Sequence, residues 1–112
     1  MVDFSGAGNT TAYDLTIWVY LDGLERKDVT ITIGANTTGG GLRDLVYTAL
    51  KNEGIDVTLA GDNRLIFQGT ADNQFKTARF NATNTAINNL KTVGFTPVGD
   101  ITPKLNINGI DK

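Results

Sequence analysis

Twelve carboxylates, ten lysines and arginines, a single serine and no histidine or cysteine make up the reactive equipment of this 112-residue chain. Without histidine it lacks the commonest general base, the Ser and Cys triads and the usual transition-metal ligands. Without cysteine it has no disulfide, thiolate metal site or thiol nucleophile, and the redox compartment stays open. Ser5 lies in a loose stretch of Gly, Ala, Asn and Thr, so a serine nucleophile is not expected. Two carboxylates at a defined separation would suffice for glycoside hydrolysis. Yet Asp22, Asp62, Asp72 and Asp100 stand in turn contexts beside Gly or Asn, where Asp is favoured for its own hydrogen bonds. The expectation is a protein that is not an enzyme.

Binding chemistry is equally thin. "GDN" at 61–63 and "ADN" at 71–73 offer oxygen ligands for a hard cation but lack the spacing of an EF-hand, and solvated turns are the simpler reading. "TTGGGLRD", residues 37–44, precedes a helix start whose N–H groups could hold an anion. It lacks the Lys-Ser/Thr of a P-loop, and "GAGNTT" near the start is not a dinucleotide fingerprint, so a flexible loop is expected. Lys76 and Arg79 interleave with Phe75 and Phe80, a mixture that single-stranded nucleic acid can use. A net charge of −2, a pI near 4.8 and scattered basic residues argue against a polyanion partner. Core phenylalanines beside solvated charges are expected instead. Asn9, Asn36 and Asn81 open N-x-T triplets, which chance supplies in a chain with 16 Thr and 11 Asn. No cofactor or metal is expected. Trp18 and Tyr20 are the residues that stand out, because they share one strand face opposite four aliphatics, so that either the strand is buried on both sides within the monomer or the aromatic face meets a partner.

The elements that must position these residues follow from periodicity. In "YDLTIWVYL", residues 13–21, Leu15, Ile17, Val19 and Leu21 alternate with Thr16, Trp18 and Tyr20, giving a strand with two usable faces. "DVTITIG" follows with Val29, Ile31 and Ile33 against a threonine face, as in an antiparallel sheet solvated on one side. Leu42, Leu45, Val46, Ala49 and Leu50 recur at helical spacing, predicting an amphipathic helix over about 41–53. Gly54, followed by Ile55, suits a left-handed Schellman stop that seats Ile55 on Leu50. Ile55, Val57 and Leu59 then alternate toward an "AGDN" turn and a returning "RLIFQG" strand. A further strand bearing Phe75 and Phe80, a short helix over about 84–92 and a last strand with Leu105 and Ile107 complete the chain. "LKTVGF" echoes "LKNEGI" 40 residues earlier, the mark either of a diverged repeat or of the same helix stop arising twice.

Length and an ordinary share of apolar and charged residues fit one α+β domain over 13–112, preceded by a flexible N-terminal arm, residues 1–12, with Phe4 its only large aromatic. The expected fold is a mainly antiparallel β-sheet of five to seven strands with the two helices packed on it, and a ferredoxin-like arrangement is the alternative. No signal peptide or membrane-spanning run is read from the sequence.

In residues 29–69 a strand (Val29–Ile33) leads through a Thr/Gly-rich loop (Thr37–Gly41) to an amphipathic helix (Leu42–Glu53). A Gly-apolar-x-Val segment (Gly54–Val57) and a hairpin ending in Leu65–Phe67 follow. This order resembles the flagellin IN-type module of flagellin outer domains, hook-associated and filament-cap proteins and some phage structural proteins. The family's Ile-Asn helix pair is replaced by Ala49-Leu50, and the long terminal heptad helices of a filament subunit are absent from the sequence. The resemblance implies a surface-displayed structural module. The expectation is a non-catalytic structural or accessory protein of an extracellular assembly, with a phage virion first, as capsid decoration or tail component. Its partners would be protein subunits, copies of itself included, with no nucleic acid and no membrane, and its contacts Phe4, Trp18 and Tyr20. The alternative is a carbohydrate- or cell-surface-binding module in which an exposed aromatic stacks on a sugar; a small enzyme subunit working through carboxylates ranks last.

Overall fold

The computed structural model describes residues 1–21, 26–67, 75–94 and 104–112, save the side chains of Leu21 and Phe75. In chain order the elements are β1 (Val2–Asp3), β2 (Tyr13–Leu21), β3 (Lys27–Ile33), α1 (Gly39–Asn52), β4 (Val57–Ala60), β5 (Arg64–Phe67) and β6 (Phe75–Asn81). A 3-10 turn (Thr85–Asn89), β7 (Lys91–Thr92), β8 (Lys104–Ile107) and β9 (Ile110–Asp111) follow. The class is α+β, as expected. In place of one sheet of five to seven strands there are two among the described residues, ordered β4-β5-β1-β7 and β3-β2-β6-β8-β9. All their pairings are antiparallel except β6 with β8. The surplus comes from β1, β7 and β9, two residues each and too short to show alternation.

Both sheets and the helix share one core. Leu15, Ile17 and Val19 of β2, Phe80 of β6 and Leu105 and Ile107 of β8 meet Leu65 and Phe67 of β5 and Leu42, Val46 and Leu50 of α1, all buried. Thr38 caps the helix by accepting the Gly41 N–H at 3.0 Å. The glycine stretch read as a flexible loop is thus the first turn of α1, which starts two residues ahead of the predicted boundary. At the other end Gly54 takes φ 76°, Ile55 N–H donates to the Leu50 carbonyl and Gly54 N–H to that of Lys51, both at 3.0 Å, forming the expected Schellman stop. Leu45, placed on the core stripe, is 39 % exposed, and Leu59 on the edge strand β4 is 43 % exposed.

The predicted short helix shrinks to the 3-10 turn, capped by the Asn84 side chain. Its Asn and Thr residues favour turns over α-helix, and the following Lys91 and Thr92 pair with β1 instead. The two echoed segments therefore differ in structure: a 14-residue α-helix against a five-residue 3-10 turn.

The largest correction concerns residues 1–12. They are not an arm: Val2 pairs with both Leu65 and Thr92, and Val2, Phe4 and Ala7 are buried. The Phe4 ring lies 6.3 Å from that of Phe80, and Phe4 N–H donates to the Asn63 carbonyl at 3.0 Å. A Gly-rich stretch can follow a core surface through isolated anchors, which leaves no period to read.

Asn9 fastens this segment. Its Nδ2 donates to the carbonyls of Thr11 at 2.8 Å and Gly34 at 3.0 Å, and its Oδ1 accepts the Thr37 N–H at 3.1 Å. In Asn9→Ala the Gly34 carbonyl keeps the Thr37 hydroxyl, whereas the Thr37 amide loses its acceptor. The expected loss is about 1–3 kcal/mol, read as a lower urea midpoint at unchanged m.

Candidate functional site

In a strand successive side chains point to opposite sides, so the core residues of β2, β6 and β8 define an outer face by their neighbours. Strand register then assembles that face in rows. Asp28, Trp18, Arg79, Asn106 and Asp111 form one row across all five strands, and Tyr20, Thr77 and Lys104 form the next. On the other side lie Thr30, Thr16 and Asn81, then Thr32 with Asp14.

Trp18 and Tyr20 are half-buried here, held by arginines. The Arg79 guanidinium carbon sits 5.7 Å from the Trp18 ring centroid, a cation–π stack that desolvates both partners. Arg26 grips Asp28 with Nε to Oδ1 at 2.8 Å and Nη2 to Oδ2 at 3.0 Å. Arg26 first, and Arg79 after it, draw the Tyr20 phenol below its ordinary pKa by hydrogen bonding to its oxygen. Tyr20, Lys76, Thr77 and Arg79 line a hollow of about 280 Å³, and the buried Nε of Arg79 has no acceptor among the described residues. The arrangement offers flat aromatic surface at low entropic cost together with guanidinium donors for carboxylates or carbonyls, the composition of a protein contact.

Of the three residues expected at an interface, the structure brings Trp18 and Tyr20 together and removes Phe4. Phe4 is fully buried on the opposite side of the sheet against Phe80, and so has no surface to give a partner. Arg79 is the residue missed: read as a solvated charge, it is half-buried on Trp18. Only the register between β2 and β6 places it there. Phe80 is core as expected, while the Phe75 side chain lies outside the described residues.

Several of the remaining chemical candidates lie in turns or hydrogen-bond within the chain. Asp62 and Asn63 take left-handed φ angles of 60° and 61° in the β4–β5 turn, and their carbonyls receive Ser5 Oγ and Phe4 N–H. The Ser5 hydroxyl, followed by its N–H, hydrogen-bonds the Asp3 carboxyl and holds it below its usual pKa. Asn9 is buried and Asn36 is a turn residue with φ 58°. Asp22, Asp72, Asp100 and the 71–73 triplet lie outside the described residues. Among those described, no three acidic side chains gather as metal ligands, and no helix is long and apolar enough to cross a membrane. No protein-family model, curated protein or solved structure matches the chain.

Proposed function

We propose that this chain is a non-catalytic structural module that joins protein subunits of an extracellular assembly through the Trp18–Arg79–Tyr20 end of its outer sheet face. The observation that carries the reading is Trp18 stacked with the Arg79 guanidinium on a face turned away from the core, with Tyr20 in the next row of the same face. The resemblance of residues 29–69 to flagellin IN-type modules supports it. β3, the Thr/Gly segment, α1 and the β4–β5 hairpin follow one another in that module's order. A phage virion is the first candidate assembly, with the chain as capsid decoration or tail component and copies of itself among the neighbours.

The mechanism is burial. Trp and Arg at the centre of a contact supply most of its energy once water is excluded, and a rim of Thr and Asn suits the wetter periphery. Such contacts stabilise only the assembled state, by mass action. In the alternative reading, a sugar stacked on Trp18 would share the ring with Arg79.

Light scattering over a concentration series tests the reading. The full chain is expected to form a multimer, and Trp18→Ala to weaken it at least about thirtyfold, the size of a hot-spot loss, with unchanged circular dichroism. A chain that stays monomeric, or a multimer indifferent to Trp18→Ala, removes self-assembly through this face.

A further inference from the structure

The opposite end of the same face is built differently. Asp14, Thr16, Asn81, Ala82, Thr83 and Asn108 line a groove of about 520 Å³, within the size range of small-molecule sites. We propose that this groove binds a neutral saccharide, independently of the docking end.

The walls are set before any ligand arrives. Asn108 takes φ 49°, and its N–H donates to the Phe80 carbonyl at 2.9 Å. Its side chain accepts the Ala82 N–H and donates to Asn88 Oδ1, both at 3.0 Å. On the facing side Thr32 Oγ1 donates to Asp14 Oδ1 at 3.1 Å, orienting that carboxylate and leaving Oδ2 open. The Thr16 and Thr30 hydroxyls meet at 3.4 Å, linking β2 to β3.

Between these walls one group is left incomplete. Asn81 Oδ1 is enclosed by the protein and has no hydrogen-bond donor among the described residues, a state that costs about 1–3 kcal/mol unless the carboxamide turns to meet a partner. Asn81 stands opposite Thr16 in the register, so its carboxamide and the Asp14 carboxylate belong to one patch of the sheet. The described lining thus offers the Asp14 Oδ2 acceptor, the Asn81 carboxamide once it turns outward, and the Thr83 hydroxyl.

That inventory selects the ligand. An anion meets the Asp14 charge with no cation among the described lining residues, and an apolar molecule leaves Asn81 unpaired. A divalent cation wants six or more oxygens, commonly from several carboxylates, and the described lining has one carboxylate. Vicinal hydroxyls donate and accept at once and match the paired polar atoms of a carboxylate and a carboxamide.

Amide and side-chain NMR of the full chain, titrated with neutral gluco-, galacto- and manno-oligosaccharides, an acidic oligogalacturonate and calcium chloride alone, tests the assignment. At least one neutral series is expected to shift Asp14, Thr16, Asn81, Thr83 and Asn108. Asn81→Ala and the isosteric Asp14→Asn are each expected to weaken that binding about tenfold, the equivalent of one lost hydrogen bond to a polar ligand, while the dispersed spectrum of the fold persists. No shift in the groove at about 10 mM sugar, well above the range of weak specific binding, overturns it. So do shifts produced by calcium or the acidic sugar alone, or binding indifferent to both substitutions.

Discussion

Phe4→Ala is expected to remove about 3–5 kcal/mol of stability, a large part of the roughly 5–15 kcal/mol that holds a domain together. Phe4 is fully buried, its ring tilted 50° against Phe80 at 6.3 Å. Truncation deletes the transfer energy of the ring and the aromatic contact, and it leaves a cavity beneath β6 that Ala cannot fill. The melting temperature should fall by roughly 10–20 °C, on the usual scaling of a few degrees per kcal/mol. Urea unfolding should show a lower midpoint at the same slope, since the folded surface is otherwise unchanged. A loose arm would give a different result, a change within about 0.5 kcal/mol, because an exposed site has no packing to lose. This substitution therefore separates a docked segment from a free one.

Gly39→Ala carries the second large effect, and its sign is informative. Ala in a helix is worth about 1 kcal/mol more than Gly, so propensity alone predicts a more stable protein. At Gly39, however, a Cβ would lie 2.1 Å from the Phe4 carbonyl oxygen, 2.9 Å from its carbon and 3.0 Å from the Ser5 oxygen. These are main-chain atoms, so no side-chain rotation relieves the clash. Either the first turn of α1 or the Phe4–Ser5 segment must shift, at a cost of about 3 kcal/mol or more, toward the upper end of overpacking effects. Equilibrium unfolding gives the size, and faster hydrogen exchange at the Phe4 and Ala7 amides would show which side moved. A gain in stability would mean that the helix and the N-terminal segment do not meet so closely.

Legibility in the sequence followed physical regularity. β2 and β3 were readable because one face is aliphatic and the other is not, and the end of α1 because Leu50, Gly54 and Ile55 stand at the spacing a Schellman stop requires. Alternation says which face of a strand is apolar but is silent on its partner. The pairing of the β4–β5 hairpin with β1, and so the division into two sheets, left no local trace. Leu45 was misplaced because it sits at the margin of the helical stripe, where tertiary packing and not spacing decides exposure. The outer face was half legible. Trp18 and Tyr20 announce themselves within one strand, whereas Arg79 reaches Trp18, and Asn81 reaches Asp14 and Thr16, only through pairings between residues more than 60 positions apart.

β1 is synthesised before both of its neighbours, yet it lies between them: Val2 pairs with Leu65 on one side and Thr92 on the other. Among the described residues β5 and β7 are joined only through it. The four-stranded sheet therefore closes only after residue 92 has emerged, and contacts of such long sequence separation make for slow folding. Until that moment the β4–β5 hairpin has an open edge on β5, with β1 of any nearby copy as capable of filling it as its own. Refolding at high concentration should be where this chain goes astray, by exchanging its first strand between molecules.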